Sequence, residues 1–74
     1  MIIKAGQPII LRKDFGKSYL NSVFSHLQGK LVFLRENVDL SNIYQFIFIK
    51  ETSKAIPFEM IDLDKTLEVI QRME

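Results

Sequence analysis

The chain opens with two short apolar runs, residues 1–5 (MIIKA) and 8–12 (PIILR), separated by Gly6-Gln7. Runs of aliphatic and β-branched residues broken by glycine predict two strands around a turn. Pro8 has no N–H to give a ladder, so it is expected to open its strand or face an edge. Asp14 and Gly16 end this pattern. Over residues 17–28 the period changes. Leu20, Val23, Phe24 and Leu27 fall at i, i+3, i+4 and i+7, one stripe of an amphipathic helix, with Asn21, Ser22 and Ser25 on the other side. Asp14 or Ser18 is expected to cap its start, and Gly29 to end it in the left-handed conformation.

Residues 30–36 (KLVFLRE) read as a strand, with Leu31, Phe33 and Arg35 facing one way and Val32 and Leu34 the other. Residues 37–42 read as a polar-spaced connection. The strongest strand pattern is 43–50 (IYQFIFIK), with Tyr44, Phe46 and Phe48 on one face and Ile43, Ile47 and Ile49 on the other. A hairpin loop at 51–54 and a further strand at 55–61 (AIPFEMI) follow, with Pro57 favouring an edge. Asp62 or Asp64 is expected to cap a last helix running to about Arg72. Its stripe is Leu63, Leu67 and Ile70, extended by Val69 and Met73. The two aspartates suit the positive end of the helix dipole and Arg72 the negative end. The order β-β-α-β-β-β-α over one small domain, residues 1–74, predicts an α+β fold with a mainly antiparallel sheet and two short helices.

An antiparallel sheet with one solvated face alternates apolar and polar residues. The 31–34 and 43–49 segments do not, so both of their faces are expected to be covered. Candidate covers are one helix on each face, closure into a small barrel, or a partner subunit. An uncovered face carrying Tyr44, Phe46 and Phe48 is an association surface.

Composition sharpens this. The chain has 74 residues, 47% hydrophobic and 26% charged, with no cysteine and a net charge of +1. Without cysteine there is no disulfide framework or thiolate zinc site. The apolar content and balanced charge exclude intrinsic disorder. A chain near this length buries only about 60% of its unfolded surface. A rich core or oligomerisation must therefore replace the missing staples. The longest mostly apolar run, 43–49, is far short of the roughly 20 residues of a membrane span. With no secretory signal pattern, a cytoplasmic protein without membrane contact is expected.

The net charge hides an asymmetry. Residues 1–37 carry Lys4, Arg12, Lys13, Lys17, Lys30 and Arg35 against Asp14 and Glu36, whereas residues 38–74 carry four cations against seven acids. Such a split suits either attraction between the halves, within or between copies, or an anionic partner for the basic half.

The candidate chemistries are thin. Gly16-Lys17-Ser18 lies in strand-to-helix context, but a phosphate-binding loop needs glycine where Leu11 stands. His26, the one histidine, is at i, i+4 from Ser22, with no orienting acid or oxyanion donor placed by the sequence. Glu59, Asp62, Asp64 and Glu68 form an acidic cluster without the glycine of a calcium loop. No catalytic site, metal or cofactor is expected. Arg12, Lys13, Lys17, Lys30 and Arg35, with Phe15 and Tyr19 interleaved among the first three, are the candidate nucleic-acid contacts.

The stretch 19–70 is a short helix followed by Gly29-Lys30-Leu31-Val32-Phe33-Leu34 and further strands. It loosely resembles Sm-type small barrels, which open with a helix and a strand of the same flavour. The family's later glycine and Asp/Asn positions have no counterpart, because no glycine follows Gly29. No site residue is carried over. The expectation is a non-enzymatic interaction or regulatory module that self-associates through Tyr44, Phe46 and Phe48. The alternative is a nucleic-acid-binding regulator using the basic half.

Overall fold

A computed structural model describes residues 1–13 and 24–73. Among the described residues there are six short strands: β1 (Ile2–Ile3), β2 (Pro8–Ile10), β3 (Leu31–Phe33), β4 (Val38–Asp39), β5 (Phe46–Ile47) and β6 (Ile56–Pro57). Two 3-10 turns, Ser25–Leu27 and Phe58–Met60, and helix α1 (Leu63–Met73) complete the described elements. The fold is α+β, built from short antiparallel pairs.

The pairings are β1 with β4, β2 with β3, and β5 with β6, all antiparallel. Isolated bridges join Leu34 to Ile49 and Leu11 to Ile61. The first extends β3 onto the strand that contains β5, and the second joins the end of β2 to the residue after the Phe58–Met60 turn. The pairing therefore runs from β2 through β3, β5 and β6 back to β2 and closes on itself. Closure satisfies edges that a flat sheet of this size would leave open. The β1–β4 pair continues the β2–β3 ladder in the same register, with residues 4–6 and 35–37 looped out of it and the Leu34 N–H donating to the Gln7 carbonyl at 2.9 Å. The two loops are tied to each other: Asn37 Oδ1 accepts the Ala5 N–H at 2.8 Å, and the Leu34 carbonyl accepts the Gly6 N–H at 2.8 Å. Gly6 there has a φ of +92°, which an L side chain resists.

Alternation supplies the core. Ile9 and Leu11, Val32 and Leu34, and Ile47 and Ile49 point inward and are buried. Ile3, Val38, Ile56, Phe58, Met60, Ile61 and Ile70 join them. The helix expected over 17–28 lies mostly outside the described residues, including Lys17, Leu20 and Val23. Its described end is the 3-10 turn, where Phe24 and Leu27 are buried as their stripe requires. Gly29 follows with a φ of +70°, the expected left-handed stop.

Three expectations need correction. Residues 37–42 are not only a connection, because Val38–Asp39 pairs with β1. The strand expected over 43–50 is confined to Phe46–Ile47 and the bridge at Ile49; Ile43 and Tyr44 lie in a turn. The strand expected over 55–61 gives way after Pro57 to a 3-10 turn. Within the single chain, the outer faces of β3 and β5 leave Leu31, Phe33 and Phe46 exposed.

Helix α1 starts as expected. Asp62 caps it, its Oδ1 accepting the Lys65 N–H at 3.2 Å, and Asp64 lies in the first turn. The helix packs on β2. Its buried stripe centres on Thr66 and Ile70, with Leu63 packed against the core, whereas Met73 is exposed.

Candidate interaction surface

The residues expected to form one aromatic strand face divide between a loop and a ladder. Residues 39–45 form a loop held by its own polar side chains. Asp39 Oδ1 accepts the Ser41 hydroxyl at 2.7 Å and the Ser41 N–H at 3.0 Å. Asn42 Oδ1 accepts the Tyr44 N–H at 3.2 Å. The Gln45 amide donates to the carbonyls of Asp39 and Asn42, reaching the latter at 2.8 Å. These are Asx-type bonds, in which a short side chain substitutes for a backbone partner and fixes the turn. The donated bonds, the Ser41 hydroxyl first, hold the Asp39 carboxyl below the usual aspartate range.

This tied loop presents apolar side chains to solvent. Tyr44 is 87% exposed, and Ile43 and Phe46 are each 61% exposed. Met1 and Ile2, also exposed, adjoin the loop through the β1–β4 pair and through the Leu40 N–H, which donates to the Met1 carbonyl at 2.9 Å.

Phe48 behaves differently. It is half-buried, and the Arg35 guanidinium lies 5.5 Å from its ring centroid. That geometry is a cation–π contact. The Arg35 N–H donates to the Phe48 carbonyl at 2.8 Å, and the Lys50 N–H donates to the Phe33 carbonyl at 2.9 Å. Arg35 therefore stands opposite Phe48, and Phe33 opposite Lys50, on either side of the buried Leu34–Ile49 bridge.

The five candidate basic residues do not form one patch. Arg12, Lys13 and Lys30 gather where β2 leaves the barrel. There the Gly29 N–H donates to the Arg12 carbonyl at 3.2 Å, the Leu11 N–H donates to the Lys30 carbonyl at 3.1 Å, and Lys13 packs against Gly29. Arg35 lies past the opposite end of β3. Lys17 falls outside the described residues. Arg12 also donates to the Glu59 carbonyl at 3.4 Å and, with Ile61, Asp62, Leu63 and Asp64, lines a shallow groove of about 390 Å³. Asp62 is spent on the helix cap. Two carboxyl side chains at this helix start oppose anion binding there.

His26 is exposed on the Ser25–Leu27 turn. Among the described residues, no group of three or more His, Asp or Glu side chains is arranged to hold a metal ion. None of the described helices is long and apolar enough to cross a membrane.

The sequence did not single out Ile43 as exposed, nor Phe33 as standing opposite Lys50 and Arg35 opposite Phe48. A signal for the latter exists. Phe33-Leu34-Arg35 and Phe48-Ile49-Lys50 are the same tripeptide pattern, ring, aliphatic, cation. Antiparallel pairing of two such copies sets each ring opposite a cation. No model of a protein family, no curated protein and no solved structure matches the chain.

Proposed function

We propose that this protein is a non-enzymatic interaction module that pairs with a second copy of itself through Ile43, Tyr44 and Phe46. One observation carries the reading: Ile43 and Tyr44 are exposed on a loop already fixed by Asp39, Asn42 and Gln45, and Phe46 is exposed on β5 directly after it. Ordering a loop on binding costs free energy, and a loop ordered beforehand avoids that cost. Tyrosine and other large rings are the usual anchors of protein interfaces. An apolar patch is complementary to its own copy across a two-fold axis, as an isologous dimer requires. The basic first half and acidic second half add attraction between copies.

Light scattering and sedimentation at micromolar concentration test this. A dimer is expected for the native chain, and Tyr44→Ser with Phe46→Ser is expected to give a folded monomer. A native chain that stays monomeric, or a variant that still dimerises, sinks the reading.

A further inference from the structure

We infer that the outer face of the β3–β5 ladder is a second, separate site, and that it binds single-stranded nucleic acid. Phe33 stands opposite Lys50 and Arg35 opposite Phe48, so rings and cations alternate in both directions across this face. Phe33 is 39% exposed, Phe48 half-buried, and Arg35 and Lys50 are exposed. The inward neighbours Leu34 and Ile49 are fully buried and form an antiparallel bridge, which fixes the four outward side chains on either side of it. Ring and cation are already in contact at Arg35 and Phe48.

The charge pattern selects the partner. A purely apolar occupant would leave two cations desolvated beside the rings, which is costly. A polyanion with flat apolar faces uses both features: unpaired bases stack on rings, and phosphates take the cations. Duplexes hide their bases in the stack and offer no face to Phe33. Leu31, exposed two residues before Phe33 on β3, prolongs the platform by a step of roughly 6.6 Å. Glu51, the acid after Lys50, is bonded to β3 but keeps its charge, so it opposes part of the pull of Lys50 on a phosphate. Both of its carboxylate oxygens accept the Phe33 N–H, at 3.2 Å.

This site differs from the set gathered by the basic-half reading. It takes Arg35 from that set, adds Lys50 and Phe33, and leaves Arg12, Lys13 and Lys30 at the other end of β3. It is also independent of the Tyr44 loop, so either proposal can fail alone.

Fluorescence anisotropy with labelled oligouridylate of about 12 nucleotides, within the usual span of a single-strand site, tests it. Binding is expected near 50 mM salt and is expected to weaken steeply by 200 mM, a range of about fourfold in salt. Phe33→Leu is expected to lower affinity about tenfold, the scale of one lost stack. Arg35→Gln and Lys50→Gln are each expected to flatten the salt dependence by about one phosphate contact. Lys65→Gln on α1 removes the same charge away from this face and is expected to change little. Tyr44→Ser is expected to leave binding intact. Circular dichroism melts confirm that each variant is folded. The proposal is overturned if the native chain does not bind at low salt, if duplex RNA of equal length binds as well, or if Lys65→Gln costs as much as Arg35→Gln. It also falls if Phe33→Leu abolishes self-association, which would make the face a protein interface.

Discussion

Thr66, on the inner side of helix α1, is fully buried, and its Oγ1 accepts the Ile10 N–H at 2.9 Å. The hydroxyl also faces the Ile10 carbonyl at 3.5 Å, which accepts the Asp62 N–H at 2.8 Å. Ile10 lies in β2 with its own N–H and carbonyl turned away from β3. One side chain of the helix therefore takes the Ile10 N–H, just where the pairing of β2 with the Ile61 segment ends. Thr66→Val keeps the shape and removes the acceptor. A loss of about 1–3 kcal/mol is expected, because a buried N–H is left without a partner. Thr66→Ser is expected to retain most of the stability. Urea denaturation of the three proteins checks this. A valine variant as stable as the native chain would show that the hydroxyl contributes nothing.

Gly29 holds a left-handed φ, and a Cβ there would sit 2.9 Å from Lys13 Cγ. Gly29→Ala is expected to cost about 1–2 kcal/mol for the conformation alone, with the steric contact added. Lys13→Ala removes that contact, so the double variant is expected to recover part of the loss. Gly6→Ala has no such neighbour within 4 Å and is expected to pay for conformation only. A double-mutant cycle by denaturation separates the two contributions.

Asp62 is the side-chain cap of α1. Asp62→Ala is expected to destabilise the protein by about 0.5–2 kcal/mol, and Asp62→Asn by less, since an amide oxygen also caps. By contrast, the Arg72–Glu68 pair one turn apart is 2.7 Å long but exposed on both sides. Arg72→Ala is expected to change stability by no more than about 0.5 kcal/mol. Thermal melts of the two variants check the contrast, and equal losses would contradict it.

Asp39 ties pH to the loop that displays Tyr44. Its carboxyl is held below the usual aspartate range by the Ser41 hydroxyl and amide. A carboxyl lowered in the folded state contributes stability above its unfolded pKa and loses it as pH falls through the lowered folded value. The loop is therefore expected to loosen only in acid, below the ordinary aspartate range, and to be unaffected near neutrality. An NMR titration of Asp39 checks this. Ser41→Ala is expected to raise the Asp39 midpoint toward the ordinary value; an unchanged midpoint would remove Ser41 as the cause.

Much of the architecture is legible in local spacing. Period-two alternation marks Val32 and Leu34, and Ile47 and Ile49, as inward pairs, because successive strand residues face opposite ways. Pro8 at the start of β2, Gly29 after the Ser25–Leu27 turn and Asp62 ahead of α1 each follow from backbone chemistry that neighbouring residues alone impose. The aromatic content of 43–48 is equally plain as a source of exposed surface.

Other features required partners distant in the chain. Val38–Asp39 is a strand only because β1 lies beside it. Thr66 is polar in composition and core in position, since β2 brings it an N–H to accept. The sequence by itself determined the inward alternation at Val32, Leu34, Ile47 and Ile49, the stop at Gly29 and the cap at Asp62, and that apolar side chains exceed the cover available. Only the tertiary structure decided register. Setting Leu34 against Ile49 is what places Arg35 over Phe48 and Phe33 beside Lys50. Register depends on which strands meet and how the ring closes, and local periodicity is the same for every even shift along the ladder.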